Sequence, residues 1–498
     1  MQSVRSSHSR SRSGRSRRQH GYGEPRRLTI RERVAELVFS DRVPLAAFIA
    51  LVLAVGFMGG GSRADITSLI VLRPLSVLLA VYAFFQLTRA TARPVLVPLL
   101  TVLTVMLVAA VQLIPLPHGV WSSVPGRAPV ARMDELAGLG AIARPASLDP
   151  AATWNALFAT FVPLAAIALV AVQKVSARTI VLILAALATL GALMGMLQLL
   201  GLRKLYLYAI TNSSNPVGLF SNRNHFSLML AWLIAAAPWL VLTDKKLAAS
   251  AQAVLGTIIF VVLLLPLVVL TGSRAGMMLS LPALGCAAIF LLQTDGLRAA
   301  GKIVRPRWRR AVGVIAALIA VALVGGVLFA LFASDRTTGL SRLAETNNEE
   351  LRVIYLPILW QMVQDFFPAG LGLGGFERVF YAYEPIDTLT AHYMNEAHND
   401  LAQFVMEGGL VALVLIVVGV SWIGWRTLVL FRQKRAGSRN DALFLGLGCA
   451  IFLLGSLTDY PLRPPLGAMT FAILTALLGM VSRNPDFQRG AAKAVQKN

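Results

Sequence analysis

An all-α, polytopic membrane fold is predicted by three features of this sequence. Of its 498 residues 56% are hydrophobic and only 14% are charged, with a mean hydropathy of +0.68, a balance foreign to water-soluble domains. Apolar runs of about 18–22 residues recur along the whole length, each able to cross a hydrocarbon core of about 30 Å, and strands are not needed to account for them. The basic residues gather in alternate connections, as the positive-inside rule requires of a chain that crosses a membrane repeatedly.

Twelve spans are read, near 43–60, 66–87, 94–114, 152–172, 179–200, 224–242, 251–270, 276–292, 312–333, 402–424, 442–458 and 466–482. They divide the chain into a basic tail (1–42), nine spans with their outer loops (43–333), a large, partly helical outer loop before the tenth span (334–401), three further spans (402–482) and a C-terminal tail (483–498). With both termini in the cytoplasm, the tails and the loops 293–311 and 425–441 hold most of the Lys and Arg, while the outer loops are longer and more acidic. The net charge of +22 therefore reports topology and anionic membrane lipids, and a nucleic-acid partner is not expected. The Arg- and Ser-rich first forty residues lack apolar content and are expected to be disordered. They are no cleavable signal, because the first apolar run is too distant and too long. Cys286 and Cys449 both fall inside spans and imply neither a disulfide framework nor a metal site.

Polar chemistry collects in four outer segments. The first, 115–150, is rich in proline and is expected to form a turn-rich cap. The second, 202–223, closes on Asn222-Arg223-Asn224-His225. The third is the turn Gly272-Ser273-Arg274-Ala275-Gly276, where the flanking glycines would let a ligand approach the backbone. In the fourth, the large loop, Leu351, Ile354, Ile358, Met362 and Phe366 recur at three- and four-residue steps and predict a helix over 349–367, with Arg352 in its first turn. The glycines of 370–375 follow no strand, so they read as a tight turn and not a phosphate loop. The aromatics of 376–383 suggest a sugar-stacking or interfacial surface. The loop ends His392-Tyr393-Met394-Asn395-Glu396-Ala397-His398-Asn399-Asp400.

Arginines and a histidine at membrane edges need partners, and together they suggest a site for an anionic, lipid-borne substrate. Arg274 and Arg352 have the forked geometry that grips phosphate oxygens. His398 has the chemistry of a general base on a sugar hydroxyl. His392, Glu396 and His398 lack the spacing of known zinc motifs, so no metal is expected. Glu407, inside a span, is expected to orient a helix or pair with an arginine, and Asp459 and Arg463 to form an ion pair or to line the same cavity. Arg73, within the second span, requires an internal partner or a substrate anion.

The ordered set resembles the O-antigen ligase and polymerase family of bacterial inner-membrane glycan enzymes over residues 40–482. It comprises Asn222-Arg223-Asn224-His225, Gly272-Ser273-Arg274-Ala275-Gly276, Leu351-Arg352 leading to Gly370-Leu371-Gly372, His398-Asn399-Asp400-Leu401 reaching Glu407-Gly408-Gly409, and Asp459-Tyr460-Pro461-Leu462-Arg463. The resemblance implies inverting, metal-independent transfer of a glycan from undecaprenyl pyrophosphate to a sugar hydroxyl on the periplasmic side, without a cofactor. It implies that Arg274 and Arg352 hold the pyrophosphate and that His398 activates the acceptor, with Arg223, Asn224, Glu407, Asp459 and Arg463 as further substrate-binding candidates. The acceptor would be lipid A–core for a ligase, the favoured expectation, or a second lipid-linked glycan for an O-antigen or exopolysaccharide polymerase. A glycolipid flippase is the alternative of a different class, and the lack of an evident internal repeat of spans argues against it.

Overall fold

The computed structural model describes residues 42–63, 66–140, 142–303, 348–386 and 394–483. The chain divides into 1–43 and 44–498, and everything below concerns the second unit. The predicted span 312–333, the two tails and His392 lie outside the described residues.

Each of the other eleven expected spans is a helix. They are α1 (Val43–Met58), α2 (Leu69–Gln86), α3 (Arg89–Gln112), α4 (Pro150–Ala171), α5 (Ala177–Leu199), α6 (Arg223–Leu242), α7 (Ala251–Leu270) and α8 (Arg274–Leu292). After α9 (Asn348–Phe366) of the large loop come α10 (Asp400–Arg432), α11 (Ser438–Gly455) and α12 (Pro465–Arg483). Ten of these are long and apolar enough to cross a membrane. The chain is an all-α, multi-pass membrane protein.

Burial ranks the helices. α6 and α12 are each 89% buried over their apolar windows, whereas α3 and α10 are 22% and 28% buried and present most of their surface outward. Trp232 and Trp239 of α6 explain its central place: both are buried, and Trp239 stacks on Phe444 of α11 at 4.5 Å. α6 and α8 approach closely because Gly276 has no side chain, and a Cβ there would meet Ser227 Oγ at 2.1 Å. Helix packing in membranes relies on such small residues.

α10 departs from the expected span in two ways. It continues past 424 to Arg432, because Arg426 is buried and bonds Ser482 of α12 instead of joining the basic loop. It is also broken at Gly409, which has φ 60.

The proline-rich connection between α3 and α4 and the described part of the large loop are ordered. The proline-rich segment holds two short helices, His118–Ser123 and Ala128–Leu136, and a two-residue antiparallel pairing of Pro115–Leu116 with Arg144–Pro145. Arg127, 1% exposed, donates to the carbonyls of Pro125 (2.8 Å), Ala146 (2.5 Å) and Gly370 (2.8 Å), and burial lowers its pKa to about 10.

In α9 the buried stripe is Tyr355, Leu359, Met362 and Phe366, with Ile358 only flanking it. This stripe packs on Phe376, Phe380 and Met406. Phe376 and Phe380 are thus core residues and not a sugar-stacking surface, while Tyr381 is exposed.

Candidate active site

The glycines of 370–375 form the expected turn, and the turn docks onto the break in α10. Leu371 N donates to Met406 O (2.9 Å), Gly372 N to Glu407 O (3.1 Å), and Leu410 N to Pro368 O (2.9 Å). Gln112 joins both parts, donating to Glu407 O (2.9 Å) and accepting from Leu373 N (2.9 Å). The backbones touch so closely that a Cβ on Gly409 would lie 1.9 Å from Pro368 O, and one on Gly370 2.3 Å from Glu407 O. The carbonyls freed by the break are therefore satisfied, as non-helical backbone at membrane depth requires. The dock fixes the turn of α10 that carries Glu407.

Three helix N-termini converge on one face. α6 is capped by Asn222, α8 by Ser273 and α10 by Asn399. Their positive dipole ends favour an anion. Arg223 and Arg274 are the first residues of α6 and α8. Gly272 sits against Arg223, where a Cβ would lie 3.1 Å from Nη1. The glycines around Arg274 therefore make room for Arg223 and Ser227, where the sequence suggested room for ligand.

Asp459, 2% exposed, ties these termini together. Its Oδ2 accepts from Asn224 Nδ2 (2.5 Å) and Asn222 Nδ2 (3.4 Å). Its Oδ1 accepts from Tyr460 N (2.9 Å) and lies 3.2 Å from His398 Nδ1. His225 Nε2 stands 3.6 Å from the same oxygen, an ion-pair contact too long for a hydrogen bond, and neither of its ring nitrogens has a hydrogen-bond partner among the described residues. Tyr460 packs against both imidazoles, at 4.9 Å and 5.0 Å. Burial alone would raise the Asp459 pKa, but the two histidines hold it well below the usual carboxylate range. His398 has φ 50, the sole positive value outside glycine among the described residues. Such strain persists where surroundings over-determine it and is common at functional sites.

Arg463 organises a second cluster. Its Nε lies 3.2 Å from Asp400 Oδ1 and 3.3 Å from Glu396 Oε2, and its Nη2 lies 3.1 Å from Glu407 Oε2. Gln403 bonds Glu396 (2.6 Å) and Glu407 (2.9 Å). Burial, with Glu407 nearby and Arg463 opposing, pushes the Glu396 pKa up to about 7. Arg463 is raised above its ordinary value: burial opposes this, and the three carboxylates outweigh it. The expected Asp459–Arg463 pair is therefore not formed. Asp459 turns to the histidines, and Arg463 turns to the carboxylates.

The candidates thus fall into groups. His398, Asp459, Asn224, Arg223 and Arg274 share one face, whereas Glu407 and Arg463 form the neighbouring cluster. Arg352 is the fifth residue of α9, just past the first turn, and the buried stripe of that helix packs on Met406 of α10. His225, Asn222, Glu396, Asp400 and Gln403 were missed as site residues. The buried histidine in Asn222-Arg223-Asn224-His225 was the available signal. Among the described residues no three His, Cys, Asp or Glu are grouped to hold a metal ion.

Residues 259–417 match the family model of the O-antigen ligases. That is the family the motifs resemble. The match runs from within α7 to the middle of α10, so it takes in Arg274, Arg352, His398 and Glu407. Arg223, Asn224, Asp459 and Arg463 reach the same region from outside it. No curated protein matches the chain.

Proposed function

We propose that this chain transfers a glycan en bloc from undecaprenyl pyrophosphate to a sugar hydroxyl of lipid A–core, on the periplasmic face of a bacterial inner membrane, with inversion and without a metal. The family match supports glycosyl transfer in O-antigen and lipopolysaccharide assembly. The observation that carries the finer reading is the His398–Asp459 pair, 3.2 Å apart, set among the N-termini of α6, α8 and α10.

Asp459 accepts a hydrogen bond from Nδ1–H, so Nε2 is the basic nitrogen of His398. Nε2 takes the proton of the acceptor hydroxyl as its oxygen forms the new bond to the anomeric carbon. The bond from that carbon to the pyrophosphate oxygen breaks, and its electron pair leaves with the pyrophosphate. Arg274, Arg352 and Arg223 meet the charge that develops there, helped by the helix dipoles. The imidazolium, stabilised by Asp459, then releases its proton to water or to the departing phosphate.

A lipopolysaccharide gel of a deletion strain, complemented with wild type or His398→Ala, tests this. Bare lipid A–core with accumulated lipid-linked polymer is the expected result without activity. Core bearing a single repeat would identify a polymerase instead, and an unchanged ladder would sink a role in lipopolysaccharide.

A further inference from the structure

At the end of the helices remote from His398 the arginines are of two kinds. Some have an aspartate: Arg178 with Asp244 (3.3 Å), Arg298 with Asp295 (3.4 Å) and Arg435 with Asp441 (2.6 Å). Arg93, Arg426 and Arg483 have none. They meet where the start of α3 joins the ends of α10 and α12, and among the described residues no carboxylate pairs with any of them.

The corner is closely packed. Arg483 Nη1 donates to Arg93 O (2.8 Å). A Cβ on Gly479 of α12 would lie 2.3 Å from Pro94 O and 3.4 Å from the Trp422 ring of α10. Arg426, 4% exposed, donates through Nη2 to Ser482 Oγ and to Gly479 O (3.4 Å), and its guanidinium stands 5.2 Å from the Trp425 ring. Its Nε is buried without a hydrogen-bond partner. All these partners are neutral, and Arg483 adds repulsion instead of relief. A buried guanidinium without a counter-ion is costly. Around Arg463 the chain supplies three carboxylates. Here it supplies none, so the anion comes from outside.

Position selects the anion. Arg426 lies 26 residues beyond Asp400 on α10, a rise of about 39 Å at 1.5 Å per residue, which carries it to the opposite edge of a bilayer core. Arg93 and Arg483 are exposed there. Leu96 and Leu100, one and two turns further along α3, are exposed as well, and Trp425 is 53% exposed, as suits an interfacial tryptophan. An anion on Arg93 and Arg483 thus sits at headgroup depth with outward-facing apolar side chains beneath it. A phospholipid has both parts. We propose that this corner binds an anionic phospholipid of the leaflet opposite the active site, its phosphate on Arg93 and Arg483 and Arg426 adding charge beside them. Two phosphates match three guanidiniums better than one, so cardiolipin is preferred to phosphatidylglycerol. This lipid is a resident and not a substrate, so the site stands whether or not the transfer reading does.

Native mass spectrometry of the purified full chain, titrated with cardiolipin, tests the proposal. Wild type should bind cardiolipin at least tenfold more tightly than phosphatidylethanolamine, and Arg93→Gln with Arg483→Gln should remove about tenfold or more of that affinity. Both side chains are exposed, which spares the fold. Arg178→Gln with Arg298→Gln removes the same charge from the same edge and should leave binding at the wild-type level. Equal loss in the two double variants would show diffuse attraction to a basic edge and overturn the site. Equal retention in both, or no preference of wild type for cardiolipin, would overturn it too. Displacement of the lipid by millimolar inorganic phosphate would assign the corner to a free anion and overturn the lipid.

Discussion

The two charged clusters are electrostatic opposites. Around Asp459 one buried carboxylate gathers two imidazoles and two amides. Around Arg463 one guanidinium gathers three carboxylates. The first ends on a histidine whose side chain is 20% exposed, and so can hand its order to a substrate. The second is closed on itself by Gln403 and is a brace, holding the loop segment at Glu396 against α10 at Asp400 and Glu407. On the proposed reading, chemistry and rigidity fall to adjacent clusters with separate hubs, a few residues apart in sequence at both ends.

If that division is right, the clusters break differently. His398→Ala should reduce transfer by about 10²–10⁴-fold while membrane abundance and melting temperature stay normal. Comparable loss of abundance would make His398 structural. Asp459→Asn should lower kcat by on the order of 100-fold through the wrong imidazole tautomer, with donor KM little changed. An unaltered kcat would detach Asp459 from the reaction. Arg463→Leu belongs to the other class. Leaving buried carboxylates unpaired costs about 3–5 kcal/mol, visible first as a lower melting temperature in detergent. Wild-type stability there would refute the brace.

The smallest effect is the most diagnostic. Glu396 has a pKa of about 7 in the folded chain against an ordinary 4.5. A raised pKa contributes stability that is complete below the ordinary value and is lost as pH rises through the folded one. The melting temperature should therefore fall between about pH 4.5 and pH 7, and Glu396→Gln should flatten that slope. An equal slope in the variant would place the titration elsewhere.

The membrane fold was legible because its signal is local: span length, hydropathy and alternating charge appear in any window of the chain. The edges were less so. Arg426 reads as a loop residue until Ser482, more than fifty positions on, buries it. The site was half legible. His398 and Arg274 stood out by type and position, but the partition of Asp459 from Arg463 depends on where two helix ends and a loop meet. Four residues apart, they read as a pair, and only the fold turns one toward His398 and the other toward Glu407. The glycines of 370–375 announced a turn, yet not that Met406 and Glu407 would present open carbonyls to it.

The break at Gly409 has a consequence for biogenesis. Three of the four hydrogen bonds at the break come from the loop that precedes α10 in the chain, and the fourth from Gln112. Hydrocarbon offers those carbonyls no substitute, so α10 takes its broken form only with that turn folded against it. Synthesis from the N-terminus delivers the parts in that order. The turn of α10 that carries Glu407 thus owes its shape to a segment made earlier in the chain.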